Sequence, residues 1–97
     1  MELSLDTLVV ASSRQVSTEV GDETVILELA EGAYYGLENV GSFVWSLLSE
    51  PRTVADLVDS VSREYDVTPD RCERDVLTLV EDLATSGLIE VRSAAAP

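Results

Sequence analysis

Apolar positions recur with a period near two between Gln15 and Leu37, and with a period near 3.6 from Val40 onward. Val16 to Val20 is half apolar and rich in β-branched residues, and Gly21-Asp22 is a turn signal. Thr24 to Leu29 alternates, with Val25, Leu27 and Leu29 on one face and Thr24, Ile26 and Glu28 on the other. Ala30-Glu31-Gly32 turns again, Gly being free to take positive φ. Ala33 to Leu37 is then a third strand holding Tyr34 and Tyr35, and links this short predict an antiparallel meander.

The second half reads as helices. Asn39 is placed to cap a helix in which Val40, Phe43, Val44, Leu47 and Leu48 share one face, until Pro51 ends it. Thr53 caps the next, with Asp56 in the capping-box position and Val54, Leu57, Val58, Val61 and Tyr65 as its apolar face. Thr68-Pro69 opens a third helix, whose stripe is Cys72, Val76, Leu79, Val80 and Leu83, and Gly87 stops it. Leu77 and Ala84 widen that stripe beyond what one packing interface needs.

At the start, Leu8-Val9-Val10-Ala11 reads as a short strand or an arm; at the end, Leu88 to Val91 offers a last short strand. The expected organisation is an arm over 1–14, a domain over 15–92 and a frayed tail over 93–97. The fold class is α+β, a winged helix-turn-helix: a three-stranded antiparallel sheet followed by three helices and a short terminal strand.

Charge changes what such a fold can do. The 97 residues include 19 acidic and 6 basic ones, a formal net charge of −13. That charge repels phosphate backbones and anionic lipid surfaces. On the third helix, where a DNA-binding winged helix needs basic residues, Asp70, Glu73, Thr78, Glu81 and Asp82 are relieved only by Arg71 and Arg74. No apolar run approaches the roughly 20 residues of a membrane helix, and no export signal is visible. Cytosol is the expected compartment, in keeping with a single cysteine, Cys72. The chain has no His, no phosphate loop and no metal-ligand spacing. Cys72 therefore lacks an activating base, and neither a catalytic residue, a metal nor a cofactor is expected.

In order and at short spacings, three segments are similar to one known family. They are Gly32-x-Tyr34-Tyr35-Gly36-Leu37-x-x-x-Gly41-x-x-x-Trp45-x-x-Leu48, then Pro51-Arg52-Thr53-Val54-x-x-Leu57-Val58, then Leu79-x-x-x-Leu83-x-x-x-Gly87-Leu88-Ile89. From about Gln15 to Val91 the chain resembles the PqqD-like proteins, which recognise precursors of ribosomally made, modified peptides. The resemblance implies that a leader segment lies as an extra strand beside the third strand, in a cleft roofed by the third helix. A free-standing acidic chain of this size looks most like the recognition proteins of lasso-peptide pathways. The implied partners are the precursor leader, a leader peptidase on a separate chain and the ATP-dependent cyclase behind it. Nucleic acid and membrane are not among them.

The implied peptide-binding residues are Ala33, Tyr34, Tyr35, Gly36 and Leu37 on the strand, and Cys72, Asp75, Val76, Leu79, Asp82 and Leu83 on the helix. Elementary chemistry agrees with the mode. A free strand edge can template another strand, backbone bonds giving affinity and side-chain pockets specificity. Adjacent tyrosines face opposite ways, so one is expected to point at the core. Trp45 is expected to be a core anchor, and Cys72 a small buried hydrophobe. Asp75 and Asp82 are either a solvated face or partners for a basic leader residue. The segment Ser49 to Arg52 is a candidate patch for the enzyme. Three other readings stand beside this one: a partner of a radical-SAM peptide-modifying enzyme, a winged-helix interaction module of another kind, and a DNA-binding regulator, which the acidic third helix opposes.

Overall fold

The structure, a computed structural model, describes residues 3–92; the expected tail, 93–97, lies outside them. Six strands and three helices make up this span. Strands β2 (Gln15–Val20), β3 (Glu23–Glu28) and β4 (Ala33–Glu38) form the expected antiparallel meander, in the order β2-β3-β4. Helices α1 (Val40–Leu47), α2 (Val54–Glu64) and α3 (Pro69–Thr85) follow. The architecture is an α+β winged helix-turn-helix.

A second sheet was not predicted as such. Strand β1 (Leu8–Ala11) runs antiparallel between the two-residue β5 (Arg52–Thr53) and β6 (Ile89–Arg92). Leu8–Ala11, within the stretch set apart above as an arm, is thus a central strand. Val9 is fully buried, Ala11 donates its N–H to the Leu48 carbonyl at 2.8 Å, and Ser12 donates to the Leu88 carbonyl at 2.9 Å. The core joins Val9 and Ile26 to Val44, Trp45 and Leu48 of the α1 segment, Leu57 and Val61 of α2, and Val76, Val80 and Leu83 of α3.

The register of β3 puts its more apolar face outward. Thr24, Ile26 and Glu28 are buried, while Val25 and Leu29 are exposed. The inner face tolerates its polar members because each is satisfied. The hydroxyls of Thr24 and Ser42 hydrogen-bond to each other. The Glu28 carboxylate accepts the N–H groups of Ala30 and Glu31 at 2.8 and 2.9 Å, tying down the turn into β4. Bonds to a charged acceptor contribute about 1.5–3 kcal/mol each, enough to hold an acid at a nearly dry position.

The helix termini follow their sequence signals in part. Thr53 caps α2 by accepting the Asp56 N–H at 3.1 Å. Gly87 (φ 76°) closes α3, with Leu88 donating to the Leu83 carbonyl and Gly87 to that of Ala84. Thr68 precedes α3 without a side-chain cap bond. Asn39 stands at the N-cap of α1, but its side chain makes no cap bond either. Its backbone lies at φ 50°, ψ −116°, a conformation glycine reaches without strain. The conformation is held from outside: Asn39 donates its N–H to the Asp22 carbonyl at 3.0 Å, pinning the end of β4 to the β2–β3 turn. Asn39→Gly is therefore expected to raise stability by about 1 kcal/mol, the strain relieved less the added chain entropy. A urea midpoint equal to or below that of the parent protein would show that the site carries no strain.

Candidate functional site

Strand β4 is an edge of its sheet: one side pairs with β3 from Glu28↔Ala33 to Glu23↔Glu38, and the other has no strand partner among the described residues. Cross-strand pairing sorts its side chains. Tyr35 shares the inner face with Ile26 and packs on the core, and Leu37 follows it there. Tyr34 pairs with Leu27 on the outer face and is 72% exposed. One tyrosine in and one out is what adjacent strand positions require.

Next to the inner end of β4 lies an apolar groove of about 260 Å³. Helix α3 forms one wall through Cys72, Asp75, Val76 and Leu79, successive members of an i, i+3, i+4, i+7 face. Val40 and Gly41 at the start of α1, Val61 of α2 and Val67 of the α2–α3 link complete it. Groove and strand meet at Gly41, whose missing Cβ would lie 3.5 Å from Leu37 Cδ2 and 4.0 Å from Leu79 Cδ1. The floor is core: Val76 and Cys72 are 1% and 2% exposed. Cys72 is held as the donor of a long thiol bond to the Val58 carbonyl, and Ser62 donates to its sulfur. On the rim, Asp75 pairs with Arg71 at 3.6 Å, an exposed contact of little energetic weight.

The structure thus brings together Leu37, Cys72, Asp75, Val76 and Leu79 of the residues expected at the site. Ala33, Tyr34, Tyr35 and Gly36 belong to the edge strand but not to the groove wall. Asp82 is exposed beyond the wall, and Leu83 is 4% exposed, a core residue. Val40 and Val61 were read only as packing positions of their helices. Val67, in a link, carries no pattern that would single it out, and Gly41 was quoted only as a motif position. Trp45 is the expected core anchor, 6% exposed, its Nε1–H donating to Ser17 Oγ at 3.2 Å.

A larger cleft of about 420 Å³ lies between the β2–β3 turn and α1, lined by Glu19, Asp22, Asn39, Ser42, Phe43 and Tyr65 among others. Its lining mixes polar groups with apolar ones in nearly equal measure, whereas the smaller groove is mostly apolar and is the better candidate for an apolar side chain. Among the described residues, no group of His, Cys, Asp and Glu could hold a metal ion, and no helix is long and apolar enough to cross a membrane.

The fold and site together are those of a winged helix with an acidic third helix and a sheet edge that opens on an apolar groove. Residues 23–89 match the family model described as coenzyme PQQ synthesis protein D (PqqD), and the chain belongs to that family. It is similar to the solved structure of TbiB1 in complex with the TbiA(beta) leader peptide, at 40% identity over 84% of this chain and 94% of that one, with a TM-score of 0.78. The fold is shared with lasso peptide synthetase B1 complexed with the leader peptide, at 22% identity over 84% and 96% of the two chains, TM-score 0.74. No curated protein matches.

The groove predicts a split between neighbouring turns of α3. Val76→Glu buries a charge and should cost about 3 kcal/mol or more, whereas Leu79→Glu, at a half-buried position on the groove wall, should cost about 1 kcal/mol. Thermal melts of the two variants measure this, and equal losses would show that Leu79 is as much a core residue as Val76.

Proposed function

We propose that this protein binds the leader segment of a ribosomally made precursor peptide and delivers it to a separate leader peptidase in lasso-peptide-type biosynthesis. One observation carries the reading: the free edge of β4 and the apolar groove converge at Gly41, so an added strand can pair its backbone and bury a side chain at the same place. The 40% identity to TbiB1, whose structure holds a leader peptide, supports it. On this reading the leader pairs along Ala33 to Leu37 and places an apolar or aromatic side chain against Val76 and Leu79, with Asp75 at the rim for a basic or hydroxyl-bearing neighbour. The protein does no chemistry of its own.

Binding of the TbiA(beta) leader peptide, the ligand held by TbiB1, tests the mode. Leu79→Glu should weaken it by about 1–3 kcal/mol, the loss expected where a desolvated contact is removed. Raising ionic strength should change the affinity only modestly, because backbone bonds and apolar burial are little screened. A steep log–log loss with salt would mark a charge-dominated site instead.

Delivery needs a second surface, and the structure favours the outer face of the β2-β3-β4 sheet over the segment from Ser49 to Arg52. Arg52 is already engaged, donating to the Leu47 carbonyl at 2.7 Å and pairing with Asp56 at 2.8 Å. The outer sheet face instead exposes Val16, Val20, Val25, Leu29 and Tyr34 together, an apolar centre of the kind interfaces use. A leader strand on β4 would extend this face, so an enzyme docked there touches protein and substrate at once. The peptidase should process full-length precursor faster in the presence of this chain and leaderless core peptide no faster, by raising local substrate concentration. Equal stimulation of both substrates would defeat delivery. Val25→Asp should abolish stimulation while leaving leader affinity intact.

A further inference from the structure

Gly41 lies in the first turn of α1, outside the left-handed backbone region occupied by Gly21, Gly32 and Gly87. The backbone therefore does not call for glycine, and glycine is among the poorest residues for a helix. Close packing does not call for it either. A Cβ built there meets Leu37 Cδ2 and Cβ at 3.5 and 3.6 Å and Leu79 Cδ1 at 4.0 Å, ordinary van der Waals distances, so alanine fits the protein as it stands. What a side chain at 41 would occupy is the gap between Leu37, on the edge strand, and Leu79, on the groove wall. On the peptide-binding reading, a side chain of a strand added to β4 reaches the groove through that gap, its throat.

We propose that Gly41 determines the specificity of the site: the absence of a side chain there keeps the throat open for one large apolar side chain of the bound strand. The inference rests on the peptide-binding reading above and names the class of ligand it selects. A cavity of about 150 Å³ accommodates benzene, so a groove of about 260 Å³ accepts a ring-sized or branched aliphatic group. Its lining offers such a group mainly hydrocarbon, from Val40, Val61, Val67, Val76 and Leu79, with one carboxylate, Asp75, at the mouth. The ligand is thus an extended segment with a single bulky apolar residue at one fixed position, and a substituent at 41 should shrink the residue tolerated there.

Selection from a display library of random 12-residue peptides tests this without knowledge of the natural leader. The parent protein should enrich strand-forming sequences with one large apolar residue at a constant position. Gly41→Leu should enrich Gly, Ala or Ser there. Gly41→Ala, which fits at the distances above, should melt at or above the parent temperature yet bind the parent-selected peptide about fivefold or more weakly, and Gly41→Leu about a hundredfold, the range that overpacking produces. Trimming the bulky peptide residue to Ala should weaken binding to the parent protein and cost Gly41→Ala little further, since both changes act on one throat. A parent protein that enriches no sequence overturns the peptide-binding reading and this proposal with it. A parent consensus retained unchanged by both variants overturns the assignment of Gly41 alone.

Discussion

The groove depends on residues that belong to the core before they belong to any ligand. Val76 is 1% exposed and Cys72 2%, and both form its wall. One apolar stripe of α3 therefore packs inward against α2 and, at its margin, faces outward toward the edge of β4. Packing at crystal-like density leaves such a wall little freedom to collapse into the empty space beside it. A partner meets a surface already in shape, and less of the binding energy goes into ordering it.

Charge sets the limits on what meets that surface. With a formal charge of −13, the chain repels nucleic acid. The arginines do little to relieve this: Arg52, Arg63, Arg71 and Arg92 each sit against a carboxylate of a near neighbour. The same charge bears on the exposed apolar sheet face. Two copies brought face to face would also bring together Glu23 of β3 and Glu38 of β4, which are cross-strand partners on that face. Net charge of this size opposes self-association through an apolar patch and favours a partner of opposite charge.

Much of this was legible in the chain. The three helices announce themselves by their 3.6 period and by Thr53, Pro69 and Gly87, whose stereochemistry is local. The meander follows from two short turns. What escaped was non-local. Leu8 to Ala11 is too short and unpatterned to reveal that it is the centre of a sheet, because its partners, β5 and β6, lie far along the sequence. The face of β3 that turns inward is decided by Ser42 and by the turn amides that satisfy Thr24 and Glu28, not by the strand's own hydrophobicity. At the site, Cys72, Val76 and Leu79 followed from helical periodicity. Leu83 shares that periodicity yet falls in the core, since spacing alone does not say where along a helix one neighbour ends and the next begins. Val67 joins the groove only through the path of a link.

The pairing of β1 with β6 has an architectural consequence. Leu8 and Arg92 are direct partners in the ladder, so the first and last strands lie side by side, on a sheet separate from the one that carries the β4 edge. A unit whose first and last strands adjoin can be spliced into a larger polypeptide through short connections, without crowding the edge on the other sheet. Whether such a module travels alone or within an enzyme then becomes a matter of gene arrangement rather than of folding.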